Sequence, residues 1–233
     1  MIKTCVLILV TILFFQKKEN NQVFNRKFSL IYLDIYINMI SHKLKFIFIH
    51  IPKTSGNSLS LFLKDFIDNV VIQRSSNMGE KQGISVLCEK TKKDIKHANI
   101  SYYKHHYGEK INDYFKFTII RNPYDRILSF YFWSKGKNNQ VFNKNEFINF
   151  IKKNGSFQHQ YIDNTFHIIH FENLIKELKN IECFKEIVDF NNYPTLNSSS
   201  NSKRNYKEFF DKELRDLVFN KYKKDFELFG YEY

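Results

Sequence analysis

From Leu44 to Ile51 the chain reads LKFIFIHI with almost no polar interruption, the pattern of a strand buried on both faces of a parallel sheet. After a short polar segment, apolar residues recur at Leu59, Leu61, Phe62, Leu63, Phe66 and Ile67. That spacing predicts a helix over Ser58–Val70 with a polar outer face. The order strand, loop, helix then returns: YFKFTII (Tyr114–Ile120) reads as a strand, RNPYDR as a loop and YDRILSFYFWS as a helix. Pro123 sits where a first-turn proline belongs, because its missing N–H costs nothing there. Two such units predict parallel strands with both loops at the carboxyl edge of the sheet, where open α/β sheets bind ligands.

Residues 74–94 carry Ser, Asn, Gly, Glu and Lys and read as irregular connection. Further on, helical patterns cover Asn145–Lys153, Glu172–Leu178 and one long amphipathic stretch from Tyr206 to near Gly230. Between them the polar segment Asn191–Asn205 is too long for a turn and reads as a flexible loop or a binding lid.

A length of 233 residues suits one α/β domain with a full core plus a short appendage. The division expected is a leader at 1–38 and a domain at 39–233. Within the leader, Cys5–Phe15 is an eleven-residue apolar run flanked by Lys3, Lys17 and Lys18, short of the roughly 20 residues that span a bilayer. It reads as a signal anchor giving membrane attachment, or the leader is an upstream extension of a domain that starts at Met39. Localisation follows that choice, membrane-associated or cytoplasmic. The formal net charge of +12 points to an anionic partner: a nucleotide, nucleic acid, polyanionic glycan or membrane surface. The same excess also suits a solvated surface in a chain rich in Lys, Asn and Ile. Cys5, Cys88 and Cys183 show no metal-ligand spacing, so no zinc site or disulfide framework is indicated; buried free thiols are expected, with a Cys88–Cys183 bridge the alternative in an oxidising compartment.

The segment PKTSGNS lies between a buried strand and a helix, where unpaired N–H groups and the helix dipole make an anion site. Gly56 allows close approach of the backbone, Thr54, Ser55 and Ser58 offer hydroxyls, and Lys53 offers a mobile charge. This is not a Walker A loop, since Lys53 precedes the only glycine instead of following a second one. No acidic strand end that would hold magnesium accompanies it. The expectation is a P-loop-like domain whose anionic guest needs no metal. At the second junction Arg121 ends the strand, and Ser129 follows two helical turns later, with Arg126 three residues before it on the same helix face. A guanidinium and a hydroxyl there would suit a second phosphate.

FIHIPKTSGNSL and FKFTIIRNPYDRILSFY together resemble the two nucleotide-binding segments of the sulfotransferases that use 3'-phosphoadenosine 5'-phosphosulfate (PAPS), in the branch related to carbohydrate and heparan sulfate sulfotransferases. FENL (Phe171–Leu174), LNSS (Leu196–Ser199) and YKKDFELFGY (Tyr222–Tyr231) extend the resemblance, which spans Lys43–Tyr233. It implies a PAPS co-substrate held by Lys53, Thr54, Ser55, Gly56, Asn57 and Ser58, with Arg121 and Ser129 on the 3'-phosphate. Ser55 replaces a common Gly or Ala, and Asn57 stands where Thr is usual. A Lys-His-Ala element about 25 residues before the strand-end arginine is matched by Lys96–Ala98, and His97 stands 24 positions ahead of Arg121. His97 is therefore the base expected, with His105 and His106 as alternates, and Lys53 the residue that assists the leaving phosphate. Lys203 and Arg204 would close over the nucleotide. The expected partners are the nucleotide donor and a hydroxyl-bearing glycan, with no nucleic acid. Two other readings remain: a magnesium-dependent kinase of P-loop type, and a non-catalytic polyanion-binding protein.

Overall fold

The computed structural model describes residues 39–67, 71–74, 82–85, 97–136, 141–185, 189–194 and 205–233. The leader, Cys88, Lys203 and Arg204 lie outside them.

Strand β1 (Ile40–Ser41) pairs antiparallel with β2 (Phe46–Ile49), which runs through the phosphate-type loop into α1 (Gly56–Phe62). An antiparallel pair follows, β3 (Val71–Arg74) and β4 (Gln82–Ser85), and β4 lies within the 74–94 segment that was expected to be irregular. Then come α2 (Ile100–Tyr107), β5 (Phe115–Ile120), α3 (Pro123–Ser134), α4 (Lys144–Lys153), β6 (His167–His170), α5 (Leu174–Leu178) and α6 (Lys212–Phe229). The main sheet has the order β1-β2-β5-β6, with β2, β5 and β6 parallel. The α/β architecture with a central, mostly parallel sheet is therefore as expected, and both strand-loop-helix junctions fall at the same sheet edge.

Every residue of β2 is buried, and alternation sends its side chains to opposite faces. Phe46 and Phe48 join Leu59, Leu63, Phe117, Ile119, Ile169 and Phe184 under α1 and α5. Ile47 and Ile49 face the other way, toward Ile100, Tyr103 and Ile120 under α2. Each such side chain contributes roughly 1.5–3 kcal/mol by leaving water, which is why the run tolerates almost no polar residue. Thr118 is the buried polar member of β5, and its hydroxyl donates to the Ile49 carbonyl at 2.7 Å. A third cluster, built from Tyr124, Tyr131, Phe147, Leu214, Val218 and Phe226, joins α3, α4 and α6.

Three helices differ from expectation, α5 only in starting at Leu174 behind a 3₁₀ turn at Phe171–Asn173. α1 stops at Phe62, and the chain goes on in turns in which Leu63 O accepts from Ile67 N (3.0 Å), so Leu63 and Ile67 still bury in helical spacing. The long C-terminal helix starts at Lys212, because Asp211 caps it by accepting from Leu214 N at 3.0 Å. Tyr206–Phe209 forms a separate 3₁₀ turn ahead of it. Its end at Gly230, in the left-handed conformation (φ 65°), is as read from the sequence. Among the described residues no helix is long and apolar enough to cross a membrane.

Candidate active site

The first loop turns sharply after β2. Lys53 (φ 70°) and Ser55 (φ 73°) both adopt the left-handed conformation, which costs a non-glycine residue of order 1–3 kcal/mol. Three donors hold that shape. Thr54 Oγ1 donates to Ile51 O at 2.9 Å, Arg126 Nε to Pro52 O at 2.9 Å, and Arg121 Nη1 to Lys53 O at 3.1 Å. Two of the three come from the second strand-helix junction, so the two loops share one set of hydrogen bonds. Gly56 is required by its neighbour: a Cβ there would collide with the His50 imidazole. α1 has no side-chain cap, and its first hydrogen bonds are those of Ser58 N and Leu59 N to Ser55 O.

Arg121 occupies the centre. Its Nε donates to Asp125 Oδ2 at 2.7 Å and its guanidinium lies 4.3 Å from the centroid of the Phe171 ring. Nη2 makes no hydrogen bond among the described residues, so donors of the guanidinium fork remain. Ser129 follows Asp125 by one turn of α3 and precedes Trp133 by another. The Lys53 ammonium reaches back over this helix to lie 5.5 Å from the Trp133 ring centroid, so Lys53, Arg121 and Ser129 share one side of α3.

Arg126 is 3% exposed and is used up inside the protein, on Pro52 O and on Ser156 O and Oγ (2.9, 2.9 and 2.7 Å). Burial pushes its guanidinium below the ordinary value, and the charge of Asp225 acts in the opposite direction. It braces the first loop from below, and its expected pairing with Ser129 on a phosphate is corrected accordingly. The Thr54 side chain is also fully buried, its hydroxyl donating to Ile51 O, so it serves the shape of the loop. Ser58 is buried as well. Asn57 turns its amide oxygen inward, where no partner meets it among the described residues.

His97 stands at the mouth of the first loop. Its Nδ1 lies 2.8 Å from the His50 carbonyl, and the two imidazoles meet edge to face at 4.5 Å. A carbonyl only accepts, so Nδ1 carries the hydrogen and the lone pair of the neutral ring is on Nε2. His106 instead bonds Tyr102 O of its own helix at 2.9 Å and stacks on Tyr102 at 4.0 Å, while His105 is exposed on the last turn of α2.

A second layer was not read from the sequence. Glu172 accepts from Asn122 N (2.9 Å) and from the Tyr231 hydroxyl (2.8 Å), which ties the C-terminal residues to the second loop. Tyr193 packs on Phe62 at 5.0 Å, and burial pushes its phenol up to about 12, only its approach to Ser55 acting against that. The segment read as a flexible loop or a binding lid therefore begins against the first loop. Among the described residues no group of His, Cys, Asp and Glu side chains is arranged to hold a metal ion.

A model described as the sulfotransferase family matches residues 38–191. The chain belongs to the sulfotransferase family. No curated protein and no solved structure matches it. The match covers both loops of this sulfotransferase, the His97 segment and FENL, and ends before α6. Family membership makes the chain a transferase of sulfonyl groups and sets aside the kinase and the non-catalytic polyanion binder.

Proposed function

We infer that this sulfotransferase takes its sulfonyl group from PAPS and passes it to a hydroxyl of a carbohydrate. The observation that carries the reading is the Arg121 guanidinium, which bonds the Lys53 carbonyl at 3.1 Å while resting on Phe171. Through it two anion-binding loops become one site, suited to a single molecule with two anionic ends. The donor, when bound, supplies an activated sulfonyl group with a phosphate as its leaving group.

The chain's residues then divide the work. Arg121, through Nη2, and Ser129 hold the 3'-phosphate, while Lys53 and the backbone of Ser55, Gly56 and Asn57 face the other end. His97 Nε2 accepts the proton of the acceptor hydroxyl as that oxygen attacks, the Nδ1–H on His50 O fixing the tautomer that places the lone pair of the neutral ring on Nε2. Lys53 offsets the charge that grows on the departing phosphate. The net charge of +12 favours an anionic glycan as acceptor.

Calorimetry with adenosine 3',5'-bisphosphate and adenosine 5'-monophosphate tests the donor reading on wild type, Lys53→Ala and Arg121→Ala. Arg121→Ala should lose far more affinity for the bisphosphate than for the monophosphate. Equal losses would refute a 3'-phosphate site at Arg121. Donor-dependent transfer of labelled sulfate to a glycan panel tests the acceptor class, and labelling confined to non-carbohydrate hydroxyls would overturn it.

A further inference from the structure

Gln158 and Asp225 are both 0% exposed polar side chains, Gln158 bonded to the Arg121 backbone and Asp225 to the backbone of Gln158. Gln158 lies in the 3₁₀ turn Gln158–Gln160. Its Oε1 accepts from Arg121 N at 3.0 Å and its Nε2 donates to Arg121 O at 2.9 Å. That is the pairing a neighbouring strand provides. The ladder between β5 and β6 ends with Ile120 opposite His170, so the Gln158 amide extends the sheet edge by one residue, at the residue whose guanidinium joins the two loops.

The turn is held from α6 in its turn. Asp225 Oδ2 accepts from Gln158 N at 2.8 Å, and Oδ1 accepts from His159 N at 3.0 Å and from His159 Nδ1 at 2.6 Å. Three donors offset the cost of burying this carboxylate. Its charge also favours the buried Arg126 cation, so one side chain of α6 backs both arginines that hold the first loop. Asp225 lies beyond the segment matched by the family model, which ends at residue 191.

We propose that Gln158, with Asp225 behind it, is a positioning residue that fixes the direction of the Arg121 guanidinium and so sets the preference for a 3'-phosphorylated nucleotide. The proposal rests on Arg121 being the 3'-phosphate ligand. Neither residue touches the donor; both act through the Arg121 peptide, whose amide and carbonyl would otherwise be left unsatisfied and free to rotate.

The experiment compares Gln158→Ala, Asp225→Asn and Arg121→Ala by calorimetry, reading the ratio of affinities for adenosine 3',5'-bisphosphate and adenosine 5'-monophosphate. Thermal unfolding is followed alongside. Arg121→Ala should abolish the preference, and Gln158→Ala should lower it about tenfold, the scale of one lost buried hydrogen-bond pair. Asp225→Asn should move it in the same direction. A lowered melting temperature with an unchanged ratio in Gln158→Ala, while Arg121→Ala loses the preference, overturns the proposal and leaves the Arg121 assignment standing. An unchanged ratio in Arg121→Ala overturns the assignment itself. If Gln158→Ala fails to fold, Gln158→Glu gives the same readout, because it keeps the acceptor for Arg121 N and loses the donor to Arg121 O; a wild-type ratio in that variant overturns the proposal.

Discussion

Replacing Gly56 with alanine tests whether His50 shapes the first loop. In an open helix this change stabilises by about 1 kcal/mol, because glycine is a poor helix former. Here the new methyl would run into the His50 ring. The ring is 4% exposed, stacked on Phe48 at 6.0 Å and against His97 at 4.5 Å, so it has nowhere to retreat without losing those contacts. Overpacking costs about 1–3 kcal/mol, and the depth of this collision puts it at the upper end. Setting about 3 kcal/mol against the 1 kcal/mol helix gain leaves a net loss of about 2 kcal/mol, a fall in Tm of roughly 4–8 °C for a chain of this size. Urea and thermal unfolding of wild type, G56A, H50A and the double variant form a cycle in which the cost of removing His50 cancels. With His50 gone the sign should reverse, G56A then stabilising by about 1 kcal/mol. Equal destabilisation in both backgrounds would refute the reasoning.

His97→Ala should lower turnover by about two to four orders of magnitude while calorimetry shows donor-product binding intact; unchanged turnover would remove His97 from the base role. The ion pair of Lys104 and Asp163 (2.8 Å) gives a pH dependence with a definite sign. Burial acts to raise the Asp163 carboxyl, but bonds from Lys104 and Thr165 outweigh it and lower it from 3.8 to about 2. Because the folded value lies below the unfolded one, the stabilisation is complete above pH 3.8 and disappears as pH falls through about 2. The gap in urea midpoint between wild type and Asp163→Asn should thus hold from pH 7 to pH 5 and shrink below pH 4; a gap that widens on acidification would contradict it.

The parts of this fold that the sequence displays are those where burial writes a pattern. β2 and β5 are apolar runs because both faces are covered, and Asn122 with Pro123 marks the start of α3, Asn122 Oδ1 accepting from Tyr124 N at 3.0 Å. β3 and β4 read VIQR and QGIS, without alternation, and β6 reads HIIH, a four-residue strand with histidines at its ends. Such short strands exist because a neighbour is present, and neighbours are not visible along the chain. The apolar spacing of Tyr206–Phe210 runs on into α6 and hides the break at Asp211, although an aspartate three residues before a buried leucine is a readable cap.

The site divides in the same way. Lys53, Gly56 and Arg121 stand in the strand-to-helix junctions, where position alone suggests a role. Arg126 and Thr54 have the right chemistry for an anion but point inward, and residue type does not reveal that. Nothing local marks Gln158. Asp225 does leave a trace: on α6 it shares the buried stripe of Val218, Tyr222 and Phe226, and a lone carboxylate on an apolar face must have partners waiting for it.

The left-handed turn at Lys53 and Ser55 is held mainly from outside, by Arg121 and Arg126 on carbonyls of a loop some 70 residues earlier (|i−j| of 68 and 74). The loop is therefore not a portable cassette. Grafted alone into a related scaffold it would relax, and an exchange of nucleotide loops between members of the family would have to move both segments together, since the shape of the first is encoded in the second.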